Sequence, residues 1–266
     1  MADIDVHLLD RGRIHADKNF AVDASAAATA SDPNPDFEYV PYAVWNLVID
    51  TPEATVLWDT GSHPEATEYW PDALYEVFAH VDADEHDLAA DLEGAGYGIE
   101  DIDCVVQSHL HLDHAGGLYH FEGTDTPIYV HEEELKFAYY SANSREGSIA
   151  YVSEDFDRDL NWHVVHRERQ LIEGVELLHL PGHTPGLLGA LVDTEPPLLI
   201  AGDEAFFETN YRDEQQMGAS LLWGSQAWAE SLRRLQDVER RHSATVLFGH
   251  DHDQIEAIDE DWPSSH

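Results

Sequence analysis

Short apolar runs alternate along the chain with stretches in which apolar positions recur every three to four residues. "VWNLVID" (44–50) and "TVLWDTG" (55–61) have strand length and flank the turn "TPEA", which predicts a pair of strands. "DEHDLAADLEGAGY" (84–97) reads as a helix ending at glycine. "DCVVQS" (103–108) is a strand, and "PIYVHEEELKFAYY" (127–140) is a strand followed by a helix. "HVVHRERQLIEGVELLHLPGH" (163–183) reads as strands around the turn "EGV", and "LGALVD" and "PLLIAGD" pair across "TEPP". "SQAWAESLRRLQDVERRH" (225–242) is the clearest amphipathic helix, with Trp228, Leu232 and Leu235 on one face and arginines on the other. "TVLFGHD" (245–251) is the last strand, and the Ala-, Pro- and Asp-rich stretch from about Arg13 to Tyr42 predicts a long loop. The pattern is that of an α/β protein, two sheets with helices outside, in a single domain over residues 1–266.

Charge changes what such a fold can do. Fifty-four acids stand against 13 bases, a formal net charge of −41, and Lys18 and Lys136 are the only lysines. The acids run throughout the chain, as in "VDADEHDLAADLEGAG", "SEDFDRD" and "IEAIDEDW". This charge opposes an electrostatic grip on nucleic acid or an anionic membrane, which leaves a small molecule as the expected partner and the oligomeric state open. The 43% hydrophobic content and 10% aromatic content exclude a disordered chain. The composition resembles that of proteins from salt-loving archaea. Cys104 is the single cysteine, and "MADIDVHLLDRGRIHADKN" has no basic start followed by an apolar core, so a cytoplasmic location is expected.

Most of the 18 histidines need no special account, but "SHLHLDHAGG" (108–117) does. His109 and His111 are two apart, on one face of extended backbone, and Asp113 and His114 follow where the chain turns into a helix. Imidazole and carboxylate crowded this closely suit a divalent first-row cation such as zinc. Three further strands run from apolar residues into His or Asp: "LLHLPGH" ends at His183, "LLIAGD" at Asp203 and "TVLFGH" at His250. Ligands gather beyond the carboxyl ends of strands in α/β sheets. Seven converging groups exceed one tetrahedral ion and fit two, with Asp203 between them.

"HLHLDH" together with "PGHTPG", "AGD" and "FGHD" resembles the metallo-β-lactamase superfamily, and within it the N-acyl homoserine lactonases. The resemblance implies an αββα sandwich of two mixed sheets and two divalent metal ions, most simply zinc. It implies that His109, His111 and His183 hold one ion, that Asp113, His114 and His250 hold the other, and that Asp203 bridges. Asp59 in "WDTG" would steady the metal loop from behind. The implied reaction opens the lactone ring by attack of a metal-bridging hydroxide, with Asp113 passing a proton to the leaving alkoxide. The resembled lactonases carry a tyrosine three positions after the bridging aspartate, whose hydroxyl holds the substrate carbonyl. Here that position is Phe206, and Tyr211 is the candidate to supply a hydroxyl from another angle. "EYWPDALYEVF", "KFAYY" and "LLWGSQAW" are candidates to wall an acyl-chain pocket. A thioester (glyoxalase II-like) or other ester hydrolase of the same superfamily is the alternative enzyme. A metal-containing lactone-binding protein without turnover is the alternative outside catalysis.

The charge carries its own prediction. Carboxylate repulsion reaches over a Debye length of about 10 Å at 0.1 M salt and about 3 Å at 1 M. The melting temperature followed by far-UV circular dichroism should therefore rise from low to molar salt. An unchanged value would remove the halophilic reading.

Overall fold

A computed structural model describes residues 4–258 and Trp262. Among these residues twelve strands form two sheets. The first is built from β1 (Asp5–Asp17), β2 (Tyr39–Asp50), β3 (Thr55–Trp58), β4 (Phe78–His80), β5 (Cys104–Val106), β6 (Ile128–His131) and β7 (Trp162–Val165), in the order β4-β1-β2-β3-β5-β6-β7. The second comprises β8 (Arg169–Ile172), β9 (Val175–His179), β10 (Leu188–Val192), β11 (Leu198–Gly202) and β12 (Thr245–Phe248), in the order β12-β11-β10-β9-β8. Both sheets are mixed: β3, β5, β6 and β7 are parallel, as are β11 and β12, and the remaining pairs are antiparallel.

The central strands read as continuous apolar runs because both of their faces are covered. Leu47, Ile49, Val56 and Trp58 point between the sheets and meet Leu177, Leu188, Leu198 and Ile200 of the second sheet. Their alternating neighbours Val48 and Leu57 point outward, under Leu88, Leu92 and Ala138 of the flanking helices. On the other side Leu199 and Ala201 pack beneath the helix Ser225–His242 through Trp228, Leu232, Leu235 and Val238. That helix places Arg240, Arg241 and His242 in its last turn, where the macrodipole favours cations, and closes on Ser243 in the left-handed region.

Two segments depart from the sequence pattern. The long loop expected from Arg13 to Tyr42 is shorter, because β1 continues to Asp17 and pairs with β2 from Tyr39 onward. β1 is amphipathic here: Ile14 and Ala16 are buried, while Arg13, His15 and Asp17 are half-buried. The register slips between Asp10 and Arg13, where Gly12 adopts φ +88, and this bulge broke the strand pattern. The helix expected over 84–97 is confined to Leu88–Gly94, because Asp87 caps it by accepting from the Ala90 N–H. No helix among the described residues is long and apolar enough to cross a membrane.

The topology sets up the site. β9 and β11 are both antiparallel to β10, and β12 is parallel to β11, so β9, β11 and β12 run the same way. Their C-terminal ends deliver His183, Asp203 and His250, while the end of β5 delivers the loop holding His109 and His111. Leu188 N–H donates to the Ser108 carbonyl at 2.8 Å and joins the two edges.

Leu235 is fully buried under the second sheet. Leu235→Ala should cost about 2–5 kcal/mol of unfolding free energy in a denaturant titration at molar salt. Arg233→Ala on the exposed face should stay within about 0.5 kcal/mol of the parent.

Candidate metal centre

The seven side chains read from the sequence converge. His109 Nε2 lies 3.1 Å from His111 Nδ1, which lies 3.0 Å from His183 Nε2. Beside this triad, Asp113 Oδ2 lies 3.7 Å from both His114 Nε2 and His250 Nε2. Asp203 reaches both groups: Oδ2 is 3.4 Å from His183 and 3.3 Å from His250, and Oδ1 is 3.4 Å from His114.

Four of the rings are held by their far nitrogens. His250 Nδ1 donates to the Ala43 carbonyl at 2.8 Å, and His183 Nδ1 to the Leu221 carbonyl at 2.7 Å. His114 Nδ1 meets Asp59 Oδ2 at 2.9 Å, and His109 Nδ1 meets the Ser108 hydroxyl at 3.0 Å. Each bond aims the opposite nitrogen at the cluster. Asp59 itself, buried and at φ +57, accepts from Ser108 N–H at 2.6 Å and from the Ser108 hydroxyl at 2.7 Å. It thereby ties the start of the histidine loop to His114.

These positions fit cations. His114 Nε2 and Asp203 Oδ1 are buried with no hydrogen-bond partner among the described residues. Three sets of donor atoms lie within 4.8 Å of one another: His109, His111 and His183; His109, His114 and Asp203; and Asp113, His114 and His250. Ligand atoms about 2.0–2.1 Å from a tetrahedral centre are about 3.3–3.4 Å apart, close to the separations found here.

Electrostatics separates the two groups. Burial pulls His109 and His111 well below the ordinary imidazole range, and the neighbouring histidines pull them further. Burial likewise lowers His183. For His114, burial is outweighed by Asp203, Asp113 and Asp59, which hold it well above that range, and Asp203 raises His250 in the same way. Burial alone would raise Asp203, but the facing His250, His114 and His109 reverse this and keep it ionised. One group thus offers neutral donors and the other carries the acids.

A cavity of about 490 Å³ opens over the cluster, with His111, Asp113, His183, Asp203 and His250 on its floor. Its walls come from the three aromatic-rich stretches singled out in the sequence, through Trp70, Leu74 and Phe78, through Phe137, and through Leu222 and Trp223. Ile14 and Phe20 also line it, and they lie in the segment read as a loop, so no sequence signal marked them. Tyr42 lines it with its ring alone, because its hydroxyl donates to the Asp17 carbonyl at 2.9 Å and accepts from the Ala21 N–H at 3.2 Å. The wall is joined to the floor: Trp223 N–H donates to the His183 carbonyl at 3.0 Å.

Phe206 lies on the cavity, its ring centroid 4.5 Å from that of His250 and 5.3 Å from that of His183. Tyr211 does not stand in for the missing hydroxyl, which corrects the expectation from the sequence. The helix Glu208–Arg212 turns it under β12, where its ring packs on Phe248 and its hydroxyl donates to Glu239 at 3.1 Å.

Known proteins resemble this chain in sequence and fold. The sequence pattern of the metallo-β-lactamase superfamily matches residues 39–250. The N-acyl homoserine lactonase AiiB of Agrobacterium fabrum is 32% identical over 264 residues, covering 94% of this chain and 95% of that one. The fold superposes with a TM-score of 0.79 on a Bacillus thuringiensis AiiA mutant with N-decanoyl-L-homoserine bound at its active site, at 26% identity and 96% coverage of each chain. It matches equally, at 0.79, 26% and 96% of each, a structure of an N-acyl homoserine lactone hydrolase with the product N-hexanoyl-L-homoserine at its catalytic metal center.

Zinc titration of the metal-free protein should saturate at about two equivalents, and His109→Ala or His250→Ala should each lower that to about one. A parent protein that saturates at one equivalent, with His250 dispensable, would contradict a two-ion site.

Proposed function

The chain belongs to the metallo-β-lactamase superfamily, and on that basis we propose that it is a metal-dependent hydrolase that opens the lactone ring of N-acyl homoserine lactones. The observation that carries the reading is the apolar cavity standing over the His/Asp cluster. The substrate has the same division, with a polar ring ester to face the floor and an acyl chain to lie along Phe137, Leu222 and Trp223. The volume falls within the range of small-molecule sites, about 300–1,000 Å³.

In this reading His109, His111 and His183 hold one divalent cation, Asp113, His114 and His250 a second, and Asp203 is shared. The donor set of imidazole and carboxylate suits zinc. Two such ions, when bound, supply Lewis acidity toward the ester carbonyl and hydroxide at neutral pH. The chain's own groups do the rest. Asp203 is 2% exposed, whereas Asp113 is 16% exposed and opens to the cavity. Asp113 therefore takes the proton released on attack and returns it to the ring oxygen as the ester bond breaks. Phe206, Tyr42 and Trp70 present apolar surface to the cavity over the floor.

A hydroxyl that donates to the carbonyl as charge develops is worth about 3–4 kcal/mol of transition-state stabilisation. Phe206 cannot donate one. Phe206→Tyr should therefore raise kcat/KM for lactones, while Tyr211→Phe, whose hydroxyl is engaged by Glu239, should leave it unchanged. The deciding experiment is a hydrolysis panel of homoserine lactones, thioesters and phosphodiesters at molar salt. If neither the parent nor Phe206→Tyr opens lactones and a thioester is turned over readily, the lactone assignment fails and the superfamily membership remains.

A further inference from the structure

Glu134 is a carboxylate with no exposed surface, the third residue of the helix Glu132–Ala142 that follows β6. A buried carboxylate is costly unless its oxygens are hydrogen-bonded, and this one is met from three directions. Leu110 N–H donates to Oε1 at 3.0 Å. The Tyr151 hydroxyl donates to the same oxygen at 2.8 Å, and the Thr184 hydroxyl to Oε2 at 2.6 Å. The donors mark what is being held. Leu110 sits between His109 and His111, and Thr184 follows His183. Tyr151 packs its ring edgewise on His111, with centroids 4.6 Å apart.

The approach of the loops to the helix is close. A Cβ placed on Gly186 would lie 2.1 Å from the Glu134 nitrogen and 2.6 Å from its Cα, so the "PGHTPG" loop lies flat on the first helical turn. The other triad has no such link: Asp113, His114 and His250 are steadied through Asp59 and the Ala43 carbonyl.

We infer that Glu134 is a positioning residue, whose carboxylate clamps the loop of His109 and His111 to the loop of His183 and so sets the spacing of that triad. The inference rests on the metal-site reading above. It assigns Glu134 to one of the two ions and leaves the other independent of it. Partners of this kind behind metal ligands typically govern about 10–100-fold in metal affinity.

The test compares two substitutions of similar size. In Glu134→Gln the amide oxygen can accept from Leu110 and Tyr151 while its NH2 donates to the Thr184 hydroxyl, which accepts as readily as it donates. Glu134→Leu offers no acceptor. Zinc retention is read by competition with a chromogenic chelator at molar salt, with His109→Ala and His250→Ala identifying which equivalent is which, and circular dichroism reports the fold. Glu134→Leu should weaken the equivalent lost in His109→Ala by about 10–100-fold and leave the other in place, and Glu134→Gln should restore most of it. Retention of both equivalents at parental strength in Glu134→Leu overturns the inference, as does equal weakening of both. If Glu134→Leu does not fold, Thr184→Val decides: selective weakening of the same equivalent supports the clamp, and unchanged retention overturns it. A parent protein that takes up no zinc defeats the metal reading as well, whereas a parent with two equivalents and insensitive variants defeats the clamp alone.

Discussion

Donor atoms crowded at the bottom of an apolar cavity repel unless something positive lies between them, and the structure is organised around that constraint. Five imidazoles from three chain segments and two carboxylates turn their donor atoms inward within a few ångströms. Holding them there demands anchors from behind. The Ala43 and Leu221 carbonyls, Ser108 and Asp59 do this for His250, His183, His109 and His114. Because those anchors come from the first sheet and from the loop before the long helix, while His183 and His250 follow strands of the second sheet, the site can exist only when the whole sandwich is assembled.

The sandwich in turn explains why so acidic a chain keeps a core. With both faces of its central strands covered, it can place apolar residues at consecutive positions and send its acids to loops and helix surfaces. The acids that do enter the interior are few, and two of those beside the site have their oxygens engaged by neighbouring segments. Asp59 accepts three hydrogen bonds from two residues, and Glu134 accepts three from three segments. Each ties a loop of the His/Asp cluster to a neighbouring element.

Much of this was legible in the sequence because strand ends and titratable residues coincide there. "SHLHLDH", "PGH", "AGD" and "FGH" each finish an apolar run with a ligand type, so chemistry and topology reinforce the same reading. β1 was hidden by its bulge, since a register slip at Gly12 breaks the alternation that marks a strand. Tyr211 was drawn to the site by proximity in sequence, but a short helix turned its hydroxyl to Glu239. Glu134 carried no signal at all. It is one of three consecutive glutamates opening a helix, two of them exposed or half-exposed, and only the docking of the 181–187 loop distinguishes the buried one.

The hydrogen bonds that join Leu221 and Trp223 to His183 give the cavity wall a second employment. The segment that would feel the length and shape of an acyl chain is also the segment that orients a donor atom on the floor. Selection for a bulkier or longer substrate therefore cannot act on this wall alone, because backbone displacement there is transmitted to His183 within one residue. Evolution toward new chain lengths has a freer path through Trp70, Leu74 and Phe78, which line the cavity without bonding to a floor residue.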